Sequence, residues 1–215
     1  MIFFLLFHDY FHKIVLKETS SLPPIHPDNK VSVRQLGRMS GKIGNKSFVL
    51  GLELGLTKAD IQQIKKEYPH SNTQCLMILF KWKLQSGDKA TFGNLETAFT
   101  SADIDVDILK SVNNAEDNLS CLPPEILDKQ PEDRHLSRIS SMVGTGHVLL
   151  GVELEVPLPR ITQILRDHPD NLQKQCLEIM KEWKKMKALK ATFRKLEQAF
   201  ICIGINPSNL KQSVN

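Results

Sequence analysis

Apolar residues recur at helical spacing in several segments of this chain. Between residues 71 and 85, four of them stand at i, i+3, i+4 and i+7, which places them on one face of a helix: Cys75, Ile78, Leu79 and Trp82. The segment Lys58–Glu67 carries Ile61 and Ile64 three residues apart, and the following Pro69 cannot continue a helix. A further helix is predicted by the spacing of Phe92, Leu95 and Phe99.

Signals for β-structure are missing from the sequence. No run of Val, Ile and Thr alternates with polar residues at a period of two, and the hairpin dipeptides Asn-Gly and Asp-Gly do not occur. The composition, with 41% hydrophobic and 24% charged residues, is that of an ordinary soluble globular protein. The sequence therefore predicts an all-α protein and argues against a collagen, a coiled-coil rod, a membrane protein and a wholly disordered chain.

The pattern of the first hundred residues returns in the second hundred, which indicates an internal duplication. At an offset of 100, the aligned strings include Leu22-Pro23-Pro24 with Leu122-Pro123-Pro124, Gly51-Leu-Glu53-Leu54 with Gly151-Val-Glu153-Leu154, and Arg34, Leu36, Arg38 and Ser40 with Arg134, Leu136, Arg138 and Ser140. One residue is inserted after Pro169. At the new offset of 101, the aligned strings are Gln74-Cys75-Leu76 with Gln175-Cys176-Leu177, Trp82-Lys83 with Trp183-Lys184, and Ala90-Thr91-Phe92 with Ala191-Thr192-Phe193.

The duplication predicts two domains, 31–112 and 131–213. Residues 1–30 are an apolar segment followed by a Pro-containing linker. A second linker is predicted at 113–130, where Asn, Asp, Glu and Pro accumulate.

The order of these motifs resembles the death domain family. The resemblance rests on Leu54-Gly-Leu56, Asp60-Ile61, Ile64, the string from Gln74 to Trp82, Ala90-Thr91, Leu95 and Ala98, and most of these recur in the second copy. It implies two six-helix antiparallel Greek-key bundles (the death fold) in tandem. The second copy departs from the family pattern at Glu155-Val156-Pro157, where the first has Gly55-Leu56-Thr57. We therefore expect the corner between the second and third helices to differ between the copies.

The same resemblance implies a function in signalling rather than catalysis. Members of this family are homotypic interaction modules, so we expect a cytoplasmic, non-enzymatic adaptor without cofactors. Its expected partners are other death-domain proteins, including a second copy of itself, in signal transduction of apoptotic or innate-immune type. Because tandem modules can also occupy partner sites without passing on a signal, a decoy or bridging role stays open.

Surfaces on which the two copies differ are the candidate interaction sites. In the first copy, an apolar stripe lies away from the Trp82 face: Met77, Phe80 and Leu84. The charged residues Glu178, Lys181 and Lys185 replace it in the second copy. An exposed apolar stripe needs a cover. We expect this cover to be either a partner protein or the segment Met1–Phe7, whose deletion with the rest of residues 1–16 would then destabilise the first domain.

Charge supplies a second candidate surface, although the formal net charge of the whole chain is only +4. Basic residues gather in the predicted fourth and fifth helices of the second copy: Lys181, Lys184, Lys185, Lys187, Lys190, Arg194 and Lys195. In the first copy, Asp103, Asp105 and Asp107 gather before the predicted sixth helix. Opposed patches of this kind steer encounter and set register. We expect the basic cluster to dock an acidic face of another death domain.

Other kinds of chemistry have weaker support. A nucleic-acid-binding protein that uses the basic cluster is the main alternative, but the cluster lacks interleaved aromatic residues on which bases would stack. The string Asp103-x-Asp105-x-Asp107 begins like a calcium loop, but Ile108 and Asn114 replace the required Gly and Glu. The histidines do not form a zinc motif, and no phosphate loop or serine elbow occurs.

The cysteines and the N-terminal residues bear on the compartment and processing of the chain. The four cysteines form no C-x-x-C pair, which fits buried thiols in a reducing setting. The run Met1–Phe7 resembles the centre of a signal peptide but has no preceding positive charge and is interrupted by His8 and Asp9. A packing segment, a signal-like segment and a wrongly assigned start all stay open.

Overall fold

The computed structural model of the chain describes residues 26–112, called here the N-terminal half, and residues 120–214, called the C-terminal half. The sequence-based predictions for Met1–Phe7 and for residues 113–119 lie outside these ranges. The N-terminal half contains six α-helices: α1 (Val33–Ile43), α2 (Ser47–Glu53), α3 (Lys58–Glu67), α4 (Ser71–Ser86), α5 (Phe92–Ser101) and α6 (Asp107–Ser111).

The C-terminal half begins with a short additional helix and then repeats the same order of helix lengths. Its helices are α7 (Pro124–Leu127), α8 (Asp133–Val143), α9 (His147–Glu153), α10 (Leu158–Asp167), α11 (Leu172–Lys187), α12 (Phe193–Cys202) and α13 (Asn209–Val214). Within residues 26–112 and 120–214 there is no β-strand, and β-pairing is limited to one isolated bridge between Lys30 and Thr91. The predicted all-α class is confirmed for this part of the chain.

Both halves use the same helix pairs. Helix α1 packs on α4 and α6, and α2 packs on α3, α4 and α5. In the C-terminal half, α8 packs on α11 and α13, and α9 packs on α10, α11 and α12. Each helix of the N-terminal half thus has, about 100 residues away, a counterpart with the corresponding neighbours in its own half.

The predicted apolar stripes form the cores of the two halves. The four stripe residues of α4 are buried, and so are their α11 counterparts: Cys176, Ile179, Met180 and Trp183. The aromatic residues of α5 and α12 are also buried: Phe92, Phe99, Phe193 and Phe200. The start of α3 is fixed by a capping box, in which Thr57 Oγ1 accepts from the N–H of Asp60 at 3.1 Å and the Asp60 carboxylate accepts from the N–H of Thr57.

The corner between the second and third helices is the same in both halves, so the expectation of a different corner is wrong. The N–H of Leu56 donates to the Gly51 carbonyl at 2.9 Å, and the N–H of Val156 donates to the Gly151 carbonyl at 2.9 Å. Gly55 adopts a φ of 83°, and Glu155 holds the same left-handed region at 63°. A non-glycine residue costs about 1 kcal/mol there. The ion pairs that the Glu155 side chain makes offset this cost.

The segments that precede each set of six helices are fastened to the half that follows them. The Pro27 carbonyl accepts from the N–H of Gly93 at 2.8 Å, and the N–H of Val31 donates to Ala90. In the C-terminal half, Leu122 and Leu127 are buried. Glu197 accepts hydrogen bonds from the Ser120 hydroxyl at 2.6 Å and the Cys121 N–H at 2.7 Å. Residues 120–130 therefore pack on the C-terminal half.

The described helices are also too short or too polar for a bilayer. None of the helices in residues 26–112 and 120–214 has the length and apolar character needed to cross a membrane.

Candidate protein-interaction surfaces

The two halves contact each other through helix α1 on one side and helix α9 on the other. Gly37 on α1 allows close approach, since a Cβ atom added there would lie 3.0 Å from Val152 Cγ1. A Cβ atom added at Gly41, one turn later, would lie 3.6 Å from Leu149 Cδ1. Leu149 and Val152 are buried. Because Gly37 and Gly41 have no side chains, these two apolar side chains of α9 pack against the backbone of α1.

Two arginines from α1 close this contact around one buried carboxylate. Glu153, at the end of α9, is only 3% exposed. Its Oε1 accepts from Arg38 Nη2 at 2.7 Å and from Arg34 Nε at 2.8 Å, and its Oε2 accepts from Arg38 Nε at 3.0 Å. A buried carboxylate requires such compensation, because desolvation alone would favour its neutral form. The hydrogen bond to Glu153 in turn raises the pKa of Arg38.

A further pair of contacts extends the interface along α3 and α4. Arg166 Nη2 lies 3.2 Å from Glu67 Oε1, and the rings of His70 and His147 meet edge to face at 6.4 Å between centroids. His147 is buried, with Nδ1 3.0 Å from the Gly144 carbonyl and Nε2 without a hydrogen-bond partner in the described residues. Burial lowers the pKa of His147 below its ordinary value of 6.5. The neutral imidazole is therefore the form that suits the contact.

The predicted basic cluster lies on α11 and α12, but most of its cations already have partners within the chain. Lys184 Nζ lies 2.8 Å from Asp133, and Lys187 Nζ lies 2.6 Å from Glu155. Arg194 holds both carboxylate oxygens of Asp128, at 2.8 and 3.0 Å. These bonds lower the pKa values of all three carboxyl groups.

The remaining members of the basic cluster differ in their pairing. Lys181 pairs with Glu178 at 3.2 Å. Lys185 is exposed and makes no ion pair within residues 26–112 and 120–214. Lys190 and Lys195 are likewise exposed without an ion pair among the described residues, although Lys195 donates to Gln198 at 3.2 Å. The paired cations leave less free charge for a polyanion than the sequence suggests.

The predicted acidic residues lie on the turn between α5 and α6 and at the first position of α6. Asp103, Asp105 and Asp107 are all exposed. Asp103 Oδ2 pairs with Lys46 at 2.8 Å, and Asp107 Oδ1 pairs with Lys110 at 2.6 Å. Asp105 Oδ1 accepts from the N–H of Asp107, which begins the last helix of this half. The three carboxylates share one surface, where Asp105 alone lacks an ion pair in the described part of the chain.

The predicted apolar stripe on α4 is only partly uncovered. Met77 and Phe80 are half-buried and pack against the core, whereas Leu84 is 67% exposed. Two other apolar side chains of the N-terminal half are also exposed, Val49 at 44% and Leu52 at 41%, and both lie on α2. Val49 and Leu52 were not among the predicted candidate residues.

The residues that join the halves were also missed as functional candidates, although the sequence contains a signal for them. Arg34, Arg38 and Glu153 all belong to positions that match between the two copies. Matching positions indicate a common framework, whereas the candidate surfaces were those on which the copies differ. The informative difference stands beside those positions, since Gly37 and Gly41 on α1 correspond to Ser137 and Ser141.

Catalytic and metal chemistry gain no support from the geometry. Among the described residues, no group of three or more His, Cys, Asp or Glu side chains is arranged to hold a metal ion. Cys75 and Cys176 are buried in the cores, where burial raises the pKa of each thiol to about 12. Such thiols are not activated nucleophiles.

Comparison with known protein families identifies one region of the chain. Residues 35–113 match the family model of the Death domain. The match covers helices α1–α6 and just over one third of the 215 residues. Death domains are modules of protein–protein interaction in signalling, so the resemblance described for this part of the sequence is confirmed.

Proposed function

We propose that the chain is a tandem death-domain adaptor, in which residues 31–112 and 131–213 each form a six-helix antiparallel Greek-key bundle and residues 113–130 join them. The family match to residues 35–113 supports the first domain. The sequence repeat at offsets of 100 and 101 and the shared set of helix pairs support the second. In this proposal residues 120–130 form the part of the linker that is anchored on the second domain.

The adaptor would be non-enzymatic and cytoplasmic, and would assemble signalling complexes by homotypic contacts in pathways of apoptotic or innate-immune type. The observation that carries this proposal is the contact between α1 and α9. In it, a surface of the Death-domain region meets the half that resembles it, through complementary charge and close apolar packing. The contact between the two similar halves is an example of homotypic recognition, which the proposed adaptor function requires.

Direct binding to purified death domains tests the proposal. The full-length chain, immobilised through its C-terminus, is exposed to a panel of isolated death domains by biolayer interferometry. A helical bundle of matched size and charge from outside the family serves as the control. The proposal expects saturable binding to at least one death domain and none to the control bundle.

A second arm of the same experiment uses duplex DNA and single-stranded RNA. Binding that falls steeply with salt and is seen only with nucleic acid would overturn the adaptor function. Because Lys184, Lys187 and Arg194 are paired with carboxylates of the chain, we expect no such binding at physiological ionic strength.

A further inference from the structure

The contact between the halves is asymmetric. Its main part joins the first helix of the N-terminal half, α1, to the second helix of the C-terminal half, α9. Each half has a counterpart of the helix that the other half uses, and these counterparts, α2 and α8, do not take part in this contact. A contact between two different surfaces can repeat from one molecule to the next.

The first unused surface lies on α2, and we call it the α2 face: Val49, Leu52 and Glu53. Its residues correspond to Leu149, Val152 and Glu153 of α9. The α9 residues are buried, whereas Val49, Leu52 and Glu53 are exposed. The α2 face therefore offers two apolar side chains beside a carboxylate. Helix α1 contacts the same combination on α9 within the chain.

The second unused surface lies on α8, and we call it the α8 face: Arg134, Ser137 and Arg138. These residues correspond to Arg34, Gly37 and Arg38, and all three are exposed. Arg138 repeats the pose of Arg38, because its Nη1 lies 3.4 Å from the Ser213 carbonyl as Arg38 Nη1 lies 2.6 Å from the Val112 carbonyl. The α8 face thus presents a short side chain and two guanidinium groups, of which that of Arg134 also pairs with the exposed Glu132 at 2.9 Å.

We infer that a second copy of this chain docks its α2 face on the α8 face, so that molecules associate head to tail. The inference rests on the proposed function, since it assumes that both halves share one fold. In this contact, Glu53 of one copy lies between the arginines of the other, and Leu52 packs against the helix backbone beside Ser137. The pair then keeps one free α2 face and one free α8 face, on different copies, for further growth.

Two differences in sequence make the contact between copies weaker than the contact within the chain. Glu155, which takes a second bond from Arg34 at 3.3 Å, corresponds to Gly55, so one carboxylate is lost. Ser137 and Ser141 stand where Gly37 and Gly41 allow the closest approach. Association between copies is therefore concentration-dependent and falls as salt screens the exposed charges.

Complementation between two blocked variants tests the inference. One variant carries Leu52→Arg and Glu53→Arg and blocks the α2 face. The other carries Arg134→Glu and Ser137→Glu and blocks the α8 face. All four positions are exposed, so both variants keep the fold, which circular dichroism and thermal melts verify. Sedimentation velocity of the full-length proteins at low salt measures their assembly.

The expected result is specific to a head-to-tail contact. The wild-type chain forms a series of oligomers, each variant alone is a monomer, and the equal mixture forms a dimer and nothing larger, because it contains one intact pair of faces. The exposed-site variants Glu125→Arg and Lys129→Glu, which lie on neither face, assemble as the wild type does.

Three outcomes would overturn the inference. They are a wild-type chain that stays monomeric at every concentration, blocked variants that assemble like the wild type, and a mixture that remains monomeric while the wild type assembles. Binding to the panel of death domains is measured separately. If panel binding persists in any of these cases, the inference alone has failed, whereas loss of panel binding counts against the proposed function.

Discussion

Arg38 and Glu153 lie 115 residues apart in the chain and are joined by two hydrogen bonds, Nη2 to Oε1 at 2.7 Å and Nε to Oε2 at 3.0 Å. Arg38 also donates to the Val112 carbonyl at 2.6 Å, at the end of the N-terminal half. One guanidinium therefore ties α1 to the end of its own half and to α9 of the other half. The contact between the halves depends on this pair more than on any exposed ion pair.

Replacement of Arg38 by alanine is expected to lower the free energy of unfolding by about 3 kcal/mol, because the buried Glu153 carboxylate keeps only its bond from Arg34. Urea denaturation of the full-length chain measures the loss. The matched control is Arg138→Ala, the equivalent change at an exposed position of α8. We expect this change to lower the free energy of unfolding by less than about 1 kcal/mol. Equal losses in the two variants would contradict the importance given to this contact.

Close packing at Gly37 makes a second prediction. Gly37→Ala places a methyl group 3.0 Å from Val152 Cγ1 and is expected to destabilise the chain by about 1–2 kcal/mol. Gly41→Ala, on the same helix with 3.6 Å to Leu149, has room and gains helix propensity, so it is expected to be neutral or stabilising.

A suppressor keeps this prediction specific. Adding Val152→Ala removes the Cγ1 atom that the new methyl group meets, so the double variant is expected to lose less stability than the two single changes together. Thermal melts of the four proteins give the comparison. Additive losses would show that the methyl group at position 37 acts through strain within α1 rather than through the contact with α9.

The buried His147 predicts a loss of stability in mildly acidic solution. Burial lowers the pKa of His147 in the folded chain, whereas the unfolded chain binds a proton near 6.5. Below about pH 6.5 the unfolded state therefore takes up a proton that the folded state does not, and the free energy of unfolding falls by up to about 1.4 kcal/mol per pH unit. His135, whose pKa burial also lowers, contributes in the same direction.

The pH effect is separated from other titrations by the variant His147→Leu. The carboxyl groups with lowered pKa values destabilise the fold only at more acidic pH, below the range of the histidines. Denaturation at about pH 7.5 and 5.5 is expected to give a smaller difference for His147→Leu than for the wild type. An unchanged difference would mean that His147 stays uncharged in both states or accepts the proton without cost.

The basic cluster makes a prediction about binding rather than stability. Lys185 is exposed without an ion pair in the described residues, so Lys185→Glu is expected to weaken binding to an acidic death-domain partner by about tenfold and leave the melting temperature unchanged. The change Lys184→Glu instead places a carboxylate beside Asp133 and is expected to lower stability as well. Wild-type affinity of Lys185→Glu at low salt would exclude this cluster from the binding surface.

Much of the fold could be predicted from the spacing of apolar residues and from the residues that cap or end helices. The segment Lys58–Glu67 was predicted as a helix and forms one with the same bounds, because Thr57 caps its start and Pro69 follows its end. The stripe from Cys75 to Trp82 is buried as its spacing indicates. These signals are local, so a single sequence carries them.

The contact between the halves could not be predicted in the same way. Arg38 and Glu153 are charged residues with no local pattern that joins them. A glutamate is seldom buried unless it is paired, and the sequence alone does not show that Glu153 has a partner. The corner at Glu155 was mispredicted because the sequence shows a residue that disfavours a positive φ. It does not show the bonds from Lys187 and Arg34 that hold the side chain there.

We propose that the chain binds other death domains through its α2 and α8 faces, which are the counterparts of the α9 and α1 surfaces that hold its own halves together. Isothermal titration calorimetry of the tightest death domain from the panel against the wild type and the two blocked variants tests it most directly. We predict that at least one blocked variant loses binding at least about tenfold, while Glu125→Arg and Lys129→Glu bind as the wild type does. A panel without any binder, or a binder whose affinity is the same for all five proteins, would contradict the claim.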